Sequence, residues 1–281
     1  LVDNDITVNG SATLTIQAGT IVKFQTTTSS QRRRITVNGG LQLLGTSASP
    51  VYFTSDRDDS IGGDTNGDGG ATTPYAGSWG YIQLNGTMFP IQHAVFRYGG
   101  SWYSSSSNYL YTMLDVNYGN LDVTDCTFEY AYNNGDAMQY ATSAAPASPT
   151  IANCVFRNGG VRVDCSPNVT VNLSGNQFFN VPSAMQLLGG VGSAGVVSSN
   201  QFNDCTACIV ATDVSVSLQS NTFFNASNPV SLVGDASISA ASGNGFTGST
   251  RHAIAISGTF TSSRTLSSAT LGTSASSLPY L

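Results

Sequence analysis

Short segments in which apolar and polar residues alternate follow one another along the whole chain, and no stretch of ten or more residues has helical periodicity. Alternation at every second residue is typical of a β-strand with one buried face. Residues 169–173 and 214–218 are examples, because every second position in them is Val or Leu. The pattern predicts an all-β chain built from many short strands.

A phenylalanine recurs at nearly constant spacing, and Asn or Cys stands two positions before it. Successive gaps between the six phenylalanines are 28, 22, 24, 21 and 23 residues. The six are Phe128, Phe156, Phe178, Phe202, Phe223 and Phe246. Phe96, in Ala94-Val95-Phe96, is an earlier and less regular member. A period near 22 residues with a β-rich composition predicts a solenoid.

Each repeat contains three alternating segments: one before the phenylalanine, one around it, and one with apolar residues seven and nine positions after it. Those last pairs are Val163 and Cys165, Met185 and Leu187, Ile209 and Ala211, and Val230 and Leu232. Residues 6–24 and 35–54 show the same arrangement in the N-terminal third. Three strands per turn with one inward face form a β-helix coil. We expect about ten three-stranded coils, in a rod roughly 50 Å long at about 4.8 Å per coil.

Asparagine occupies the same position in four successive repeats, and stacked coils would place these residues at one bend. They are Asn176, Asn200, Asn221 and Asn244. A side-chain amide carries both donors and an acceptor, so we expect each one to bond to the next. This asparagine ladder would hold the turn and requires no ligand.

The composition narrows the range of functions. Charged residues make up only 9% of the chain, against about 25% in a typical soluble domain. The arginines are scattered, apart from the run at 32–34, so the chain lacks the basic face that nucleic-acid binding requires. That run is expected to be a solvated loop or to meet the acidic residues 56–68. No run of about 18 apolar residues is present, so membrane insertion is not expected.

The five cysteines are an odd number. Cys126 and Cys154 are predicted to be small buried side chains in neighbouring coils. A disulfide between them is also conceivable, since stacked strands lie about 4.8 Å apart. Cys205 and Cys208 have C-x-x-C spacing, but there is no second such pair and no nearby histidine, so a metal site is weakly indicated.

The sequence resembles the secreted right-handed parallel β-helix repeat proteins of bacteria, which include tandem modules of large surface proteins. The resemblance is carried by ITVNGSATLTIQAGTIVKF at 6–24, ITVNGGLQLLGTSASPVYFTS at 35–55 and DDSIGGDTNGDGG at 58–70, and it extends through the later repeats. It implies a right-handed parallel β-helix, or β-solenoid, and an extracellular or cell-surface location. It says little about function, because surface proteins, adhesins and polysaccharide-processing enzymes all use such modules.

We expect one β-helix domain over residues 1–281. Residues 1–55 would form the N-terminal coils, 56–78 an inserted calcium loop, and 79–281 the remaining coils. In the insertion, Asp64, Asn66 and Asp68 place oxygens at alternate positions before a glycine, as in the first half of a calcium loop.

Calcium takes six to eight oxygens, so further ligands are needed. Tyr75 stands where the usual bidentate glutamate would be. The Gly70 carbonyl and the upstream carboxylates Asp56, Asp58 and Asp59 are the candidates to complete the site. The expected role of Ca²⁺ is structural: it orders the loop.

The chain ends carry an expectation that rests on the resemblance. In that family a segment such as Leu-Pro-Tyr with a following hydrophobic residue leads directly into a coil like residues 6–24. The open end of a solenoid also exposes unpaired strand edges. We therefore expect copies to join end to end, as subunits or tandem modules, unless the chain is a fragment of a larger enzyme or adhesin. The expected interface residues are Leu1, Val2, Ile6, Val8, Leu278, Pro279, Tyr280 and Leu281.

Aromatic residues cluster at 98–140, which holds eight of the twelve tyrosines. Exposed aromatics contact sugars and also protein partners; alternatively, these residues close a loop at 99–112 over the rod. The candidates for surface-glycan or interface contact are Tyr98, Trp102, Tyr103, Tyr109 and Tyr111.

Catalysis is not expected. Arg162 and Asp164 would share an outward face with Gln139 and Gln186 of adjacent coils, which supplies one acid rather than the pair that glycoside hydrolysis needs. The histidines are isolated in the repeat register. The expected function is a structural building block of an extracellular filament, sheath or giant surface protein. The alternatives are an adhesin or carbohydrate-binding module and, less favoured, a polysaccharide lyase or hydrolase.

Overall fold

The structure is a computed structural model that describes residues 1–27, 32–100, 102–103, 109–110, 112–143, 148–249 and 253–262. At residues 87, 88, 102, 103, 109, 110 and 118 it describes the backbone alone. This part of the chain contains 31 strands and one 3-10 turn, at Tyr132–Asn134.

The strands, in chain order, are β1 (Ile6–Val8), β2 (Thr13–Gln17), β3 (Ile21–Phe24), β4 (Ile35–Val37), β5 (Gly40–Leu44), β6 (Val51–Ser55), β7 (Ile82–Leu84), β8 (Thr87–Met88), β9 (Ile91–Gln92), β10 (Ala94–Arg97), β11 (Trp102–Tyr103), β12 (Tyr109–Leu110), β13 (Leu114–Gly119), β14 (Val123–Thr124), β15 (Thr127–Glu129), β16 (Asp136–Thr142), β17 (Thr150–Ala152), β18 (Val155–Arg157), β19 (Gly160–Asp164), β20 (Thr170–Ser174), β21 (Gln177–Phe179), β22 (Ser183–Leu188), β23 (Ala194–Ser198), β24 (Gln201–Asn203), β25 (Ala207–Thr212), β26 (Ser215–Gln219), β27 (Thr222–Phe224), β28 (Asn228–Val233), β29 (Ser237–Ser242), β30 (Gly245–Thr247) and β31 (Ile254–Ser257).

Three parallel sheets run along the rod. Sheet A has nine strands, in the order β3-β6-β10-β15-β18-β21-β24-β27-β30. Sheet B has ten, in the order β1-β4-β7-β13-β16-β19-β22-β25-β28-β31. Sheet C has seven, β9-β14-β17-β20-β23-β26-β29, and the three-stranded sheet β2-β5-β8 takes its place in the first coils. The described chain completes nine turns and begins a tenth with β31, so the predicted all-β parallel β-helix is confirmed.

A column of phenylalanine rings fills the interior behind sheet A. From Phe53 to Phe246 every ring stacks on the next, at centroid distances of 4.9–5.1 Å and interplanar angles of 4–11°. Phe96 lies within this column, as the sequence predicted. The residues of the column are paired in register between adjacent strands. Stacked rings contribute about 0.5–1.5 kcal/mol per pair beyond area burial, so the column ties each coil to the next.

One predicted register is wrong. The fixed spacing from the phenylalanines equated Val163 with Met185, but the structure pairs Val161 with Met185 and Val163 with Leu187. Val161 comes two residues sooner after Phe156 than Met185 comes after Phe178, because the path between the two sheets is shorter in that coil. Cys165 therefore falls just beyond the strand, although its side chain is still buried.

Residues with positive φ bracket the seven strands of sheet A from β10 to β30, each of which carries one phenylalanine of the column. Three positions before the column phenylalanines they are His93, Asp125, Asn153, Gly175, Ser199, Ser220 and Gly243. Two positions after them they are Tyr98, Tyr130, Asn158, Asn180, Asp204, Asn225 and Gly248. Asn, Asp and Gly tolerate this conformation best, which explains why they flank the repeated Asn-x-Phe segments.

An insertion leaves the rod between β6 and β7, and Trp79 returns the chain to it. The Trp79 ring is fully buried and stacks on Phe24 at 4.3 Å, while its Nε1 donates to the Arg97 carbonyl at 2.7 Å. Within the described residues, no helix has the length and apolarity needed to cross a bilayer.

Candidate functional site

The four predicted ladder asparagines lie one above another at a single bend, and all are at most 1% exposed. Asn200 illustrates the bonding. Its Nδ2 donates to the Leu173 carbonyl at 2.9 Å and to Asn221 Oδ1 at 3.0 Å. Its Oδ1 accepts the backbone N–H and the Nδ2 of Asn176, at 2.9 and 3.0 Å. Asn221 repeats the pattern with Asn244.

The ladder stops where cysteines take over its position. Asn176 Oδ1 accepts the backbone N–H of Cys154 at 2.9 Å, and the Cys154 thiol instead approaches the Ala152 carbonyl at 3.3 Å. Cys126 makes the equivalent contact with the Thr124 carbonyl at 3.2 Å. A thiol is a weak donor and acceptor, so the cysteines extend the column with small buried side chains.

All five cysteines are free and buried, so no disulfide joins Cys126 to Cys154. Burial raises the pKa of the Cys126 thiol well above its ordinary value and that of Cys165 to about 12. Cys205 and Cys208 share a hydrogen bond, which lowers the pKa of the first thiol and raises that of the second. Thiols whose pKa is raised in this way, as at Cys126, Cys165 and Cys208, are poor nucleophiles and poor metal ligands.

Buried charges anchor the insertion to the rod. Lys23 is 3% exposed, and its Nζ donates to the carbonyls of Asp58, at 2.9 Å, and Gly63, at 2.5 Å. The Asp58 carboxylate is 2% exposed, accepts the Thr54 hydroxyl at 2.7 Å and pairs with Arg97 at 3.2 Å. Because each buried charge has a partner, the cost of removing it from water is offset.

The predicted calcium ligands separate into two groups. Oxygens of Asp59, Asp64 and Asp68 all lie within 4.8 Å of one another. Asp58 is instead engaged with Arg97, and Asp56 accepts the Thr26 backbone N–H at 3.0 Å. The upstream carboxylates therefore contribute one member to the cluster rather than three.

The chemistry of the cluster fits Ca²⁺. Calcium–oxygen distances are about 2.3–2.6 Å, so two oxygens on one ion lie at most about 5 Å apart, and the three carboxylates meet this limit. Asp59 Oδ1 is buried and has no hydrogen-bond partner, which leaves it free to bind a cation. Gly70 is close by, since a Cβ there would lie 3.7 Å from Asp59 Oδ2. The Thr72 hydroxyl lowers the pKa of Asp68, which favours the ionised ligand.

The Asp64 and Asp68 side chains also shape the loop. Asp64 accepts the backbone N–H groups of Gly67 and Gly69, both at 2.8 Å. Asp68 accepts those of Gly70 and Ala71 at 2.9 and 3.0 Å. Asn66 donates its Nδ2 to Asp68 at 2.9 Å. The loop thus turns its carboxylates inward around one centre.

The outer face of sheet B holds more carboxyl groups than the sequence analysis predicted. One outward row, in register, contains Gln83, Asp115, Gln139, Arg162 and Gln186. Asp136 and Asp164 lie beside this row: Gln186 donates to Asp136 at 2.7 Å, and Arg162 pairs with Asp164 at 3.1 Å. The expectation of a single acid on this face was wrong, because the face holds three.

Two of these carboxyl groups have perturbed acidity. Burial raises the pKa of Asp136 to about 6, against the opposing charge of Arg162. Burial also raises the pKa of Asp115, which is 2% exposed and accepts from Gln83 at 2.8 Å. Raised carboxyl pKa values in a cluster are found at functional sites and also in structural networks.

The aromatic candidates are only partly described. Tyr98 stacks on Tyr130 at 4.9 Å, and the Arg97 guanidinium lies over the Tyr98 ring at 5.2 Å. The other candidates are described by backbone alone, in the antiparallel pair β11–β12, or lie outside the described residues: Trp102, Tyr103, Tyr109 and Tyr111.

The N-terminal candidates form the first rung of the rod. Val2 forms a parallel β-bridge with Phe24. The Val2 N–H donates to the Lys23 carbonyl at 2.7 Å, and the Val2 carbonyl accepts the Gln25 N–H at 2.9 Å. Val2 and Val8 point into the core, whereas Leu1 is 65% exposed and Ile6 37% exposed. The C-terminal candidates lie outside the described residues: Leu278, Pro279, Tyr280 and Leu281.

A family model described as a right-handed β-helix region matches residues 97–261. The match covers more than half of the 281 residues and spans the coils that carry the asparagine ladder. Its description agrees with the handedness that the sequence resemblance implied. Searches of curated proteins and of solved structures give no significant match.

Proposed function

This chain belongs to the right-handed β-helix family, and from that premise we propose that it is a structural building block joined end to end through its terminal coils. The assembled object is an extracellular or cell-surface filament, sheath or giant surface protein of a bacterium. The adjoining coil belongs either to another copy or to a neighbouring module, and the contact is the same in both cases.

The open edge of the first coil carries this proposal. In β1, Ile6 donates to the Arg34 carbonyl and Val8 accepts from Asn38, so both residues bond toward β4. Backbone groups alternate in direction along a parallel strand. The N–H and C=O of Thr7 therefore point away from β4, toward the position of one more rung.

Side-chain exposure at this edge supports the same proposal. Ile6 is paired in register with Ile35, which is 1% exposed because strands lie on both sides of it. Ile6 is 37% exposed. Among the described residues, β1 has a neighbouring strand on one side only, which is β4. A further coil would bury it as Ile35 is buried, and adding a strand to an open edge is a common mode of protein association.

Two substitutions at one position test this contact. Thr7→Pro removes the outward N–H while keeping every bond from β1 to β4, and edge strands tolerate proline where the N–H faces solvent. Thr7→Val keeps the N–H and is the matched control. Sedimentation velocity over a range of concentrations should show association of the wild type and Thr7→Val, and loss of association in Thr7→Pro. Equal association of all three proteins would refute the proposed contact.

We propose that Ca²⁺ bound by Asp59, Asp64 and Asp68 orders the insertion in this building block. Adding millimolar Ca²⁺ to chelator-treated protein should raise the melting temperature, and Asp64→Asn should abolish the rise. Asp3→Asn, an exposed carboxylate outside the insertion, is the control. If Ca²⁺ does not change the melting temperature of the wild type, the proposed ion site is contradicted.

A second candidate function rests on the three carboxyl groups of sheet B. A carboxyl group whose pKa is raised, as that of Asp136 is, together with a second carboxyl group nearby is the arrangement that glycosidases use. If the chain processes surface polysaccharides, Asp136→Asn and Asp164→Asn should each abolish release of reducing ends, while the exposed Asp204→Asn should not. An adhesin that uses this face should bind glycans without cleaving them.

A further inference from the structure

The seven described arginines fall into two groups. Four make ion pairs with carboxylates: Arg34, Arg97, Arg157 and Arg162. The other three, Arg32, Arg33 and Arg57, make no ion pair with any described carboxylate. The chain carries 16 acidic and 10 basic residues, so a shortage of acids does not explain this. The unpaired positive charge is concentrated at the base of the insertion.

Two of these arginines meet at one aromatic ring. The guanidinium carbons of Arg32 and Arg57 each lie 5.8 Å from the Tyr75 ring centre. Tyr75 is 42% exposed, so the cluster opens to solvent. Gly80 positions the arginine segment, since its N–H donates to the Arg33 carbonyl at 2.9 Å and a Cβ there would lie 3.0 Å from that oxygen.

Guanidinium donors in this cluster lack acceptors. Nε and Nη1 of Arg32 and Nε of Arg33 are buried and have no hydrogen-bond partner. Nη2 of Arg33 donates a long hydrogen bond to Gln25 Oε1, at 3.4 Å. A buried donor without an acceptor is costly, more so when it is charged. The arrangement therefore favours an external group that supplies several acceptor oxygens and negative charge.

We propose that Arg32 and Arg57, with the neighbouring Arg33, form a binding site for a tetrahedral oxyanion, either the singly charged group of a sulfate ester or the doubly charged group of a phosphate monoester. The guanidinium fork matches the oxygens of such groups in pairs. Small adjustments of the half-buried side chains turn their free N–H groups toward the anion. The site lies on the outside of the rod, because the guanidinium groups of Arg32 and Arg57 flank the half-exposed Tyr75 ring.

Inorganic sulfate is the first probe. Titration at constant ionic strength, balanced with chloride, should raise the melting temperature with the logarithm of sulfate concentration above Kd, by about 2–4 °C at ten times Kd. Calorimetry should show that Arg32→Gln and Arg57→Gln each weaken sulfate binding about tenfold or more. Arg162→Gln, which removes an ion-paired arginine elsewhere, should bind as the wild type does. Arg32→Lys should bind more weakly than the wild type, because it keeps the charge but loses the fork.

Two sugar esters then show whether the site prefers a sulfate or a phosphate group. N-acetylglucosamine 6-sulfate and 6-phosphate present the two groups on one sugar, and N-acetylglucosamine itself is the neutral control. The proposal predicts that one or both esters bind at the arginines and that the neutral sugar does not. It is overturned if calorimetry shows no saturable binding of sulfate, if the Gln variants bind sulfate as tightly as the wild type, or if neither ester binds.

Discussion

Replacing one ladder asparagine by leucine tests how the coils are held at their bend. Asn200→Leu keeps the approximate shape of the side chain and removes all of its hydrogen-bonding groups. The backbone N–H of Asn176 and the carbonyl of Leu173 then lose their partners at Asn200. Asn221 Oδ1 keeps only the backbone N–H of residue 200.

The expected cost follows from the number of buried groups left unpaired. Each buried donor or acceptor without a partner costs about 1–3 kcal/mol. Because two backbone groups lose their partners, the free energy of unfolding should fall by about 2–6 kcal/mol. Asn200 is fully buried, so water cannot replace the lost bonds without opening the coil.

Urea unfolding followed by circular dichroism measures this loss, and Asn203→Thr is the matched control. Asn203 lies three residues away on the outer face of sheet A, at the register position that Thr247 occupies in the last described coil. The control should change stability by less than about 0.5 kcal/mol. A loss in Asn200→Leu no larger than in the control would refute a stabilising role for the ladder.

Three further predictions concern other buried groups. Because the pKa of Asp136 is raised to about 6 from 3.8, the folded state holds its proton more tightly, and this contribution is lost as pH rises from 4 to 7. Relative to Asp136→Asn, the wild type should lose about 2–3 kcal/mol over that range; a pH-independent difference in stability between the two proteins would contradict this. Lys23→Met should lower the melting temperature and speed proteolysis within residues 56–70, whereas unchanged cleavage would refute the anchoring role. The five cysteines should resist a thiol reagent until the protein is unfolded, so labelling of the native protein would show that a thiol is exposed.

The fold was largely predictable because its signals are local. Alternation along a short strand and the spacing of the phenylalanines both report which residues face inward, and neither requires knowledge of distant contacts. The ladder asparagines follow from the same spacing. The predicted pairing of Val163 with Met185 failed because it assumed connections of equal length. The structure also explains a signal that the sequence analysis left unused: the Asn, Asp and Gly residues at fixed offsets from the phenylalanines mark positions with positive φ.

The candidate sites were less predictable because they depend on side chains from distant coils. Asp115 and Asp136 reach the face of Arg162 only through the register of three strands, which the connection lengths determine. Asp58 is not part of the calcium cluster because its carboxylate pairs with Arg97, a residue of a later coil that the sequence did not place beside it. The arginine run was expected to be a solvated loop or to meet the acidic residues 56–68, and the contact of Arg32 with the Tyr75 ring was not predicted.

Electron microscopy of the purified chain, negatively stained over a range of concentrations, tests the end-to-end assembly most directly. Nine turns at about 4.8 Å each form a rod of roughly 45 Å. We predict unbranched fibres with an axial repeat near that length, and shorter particles for Thr7→Pro. Isolated rods of one length at every concentration would contradict joining through the terminal coils.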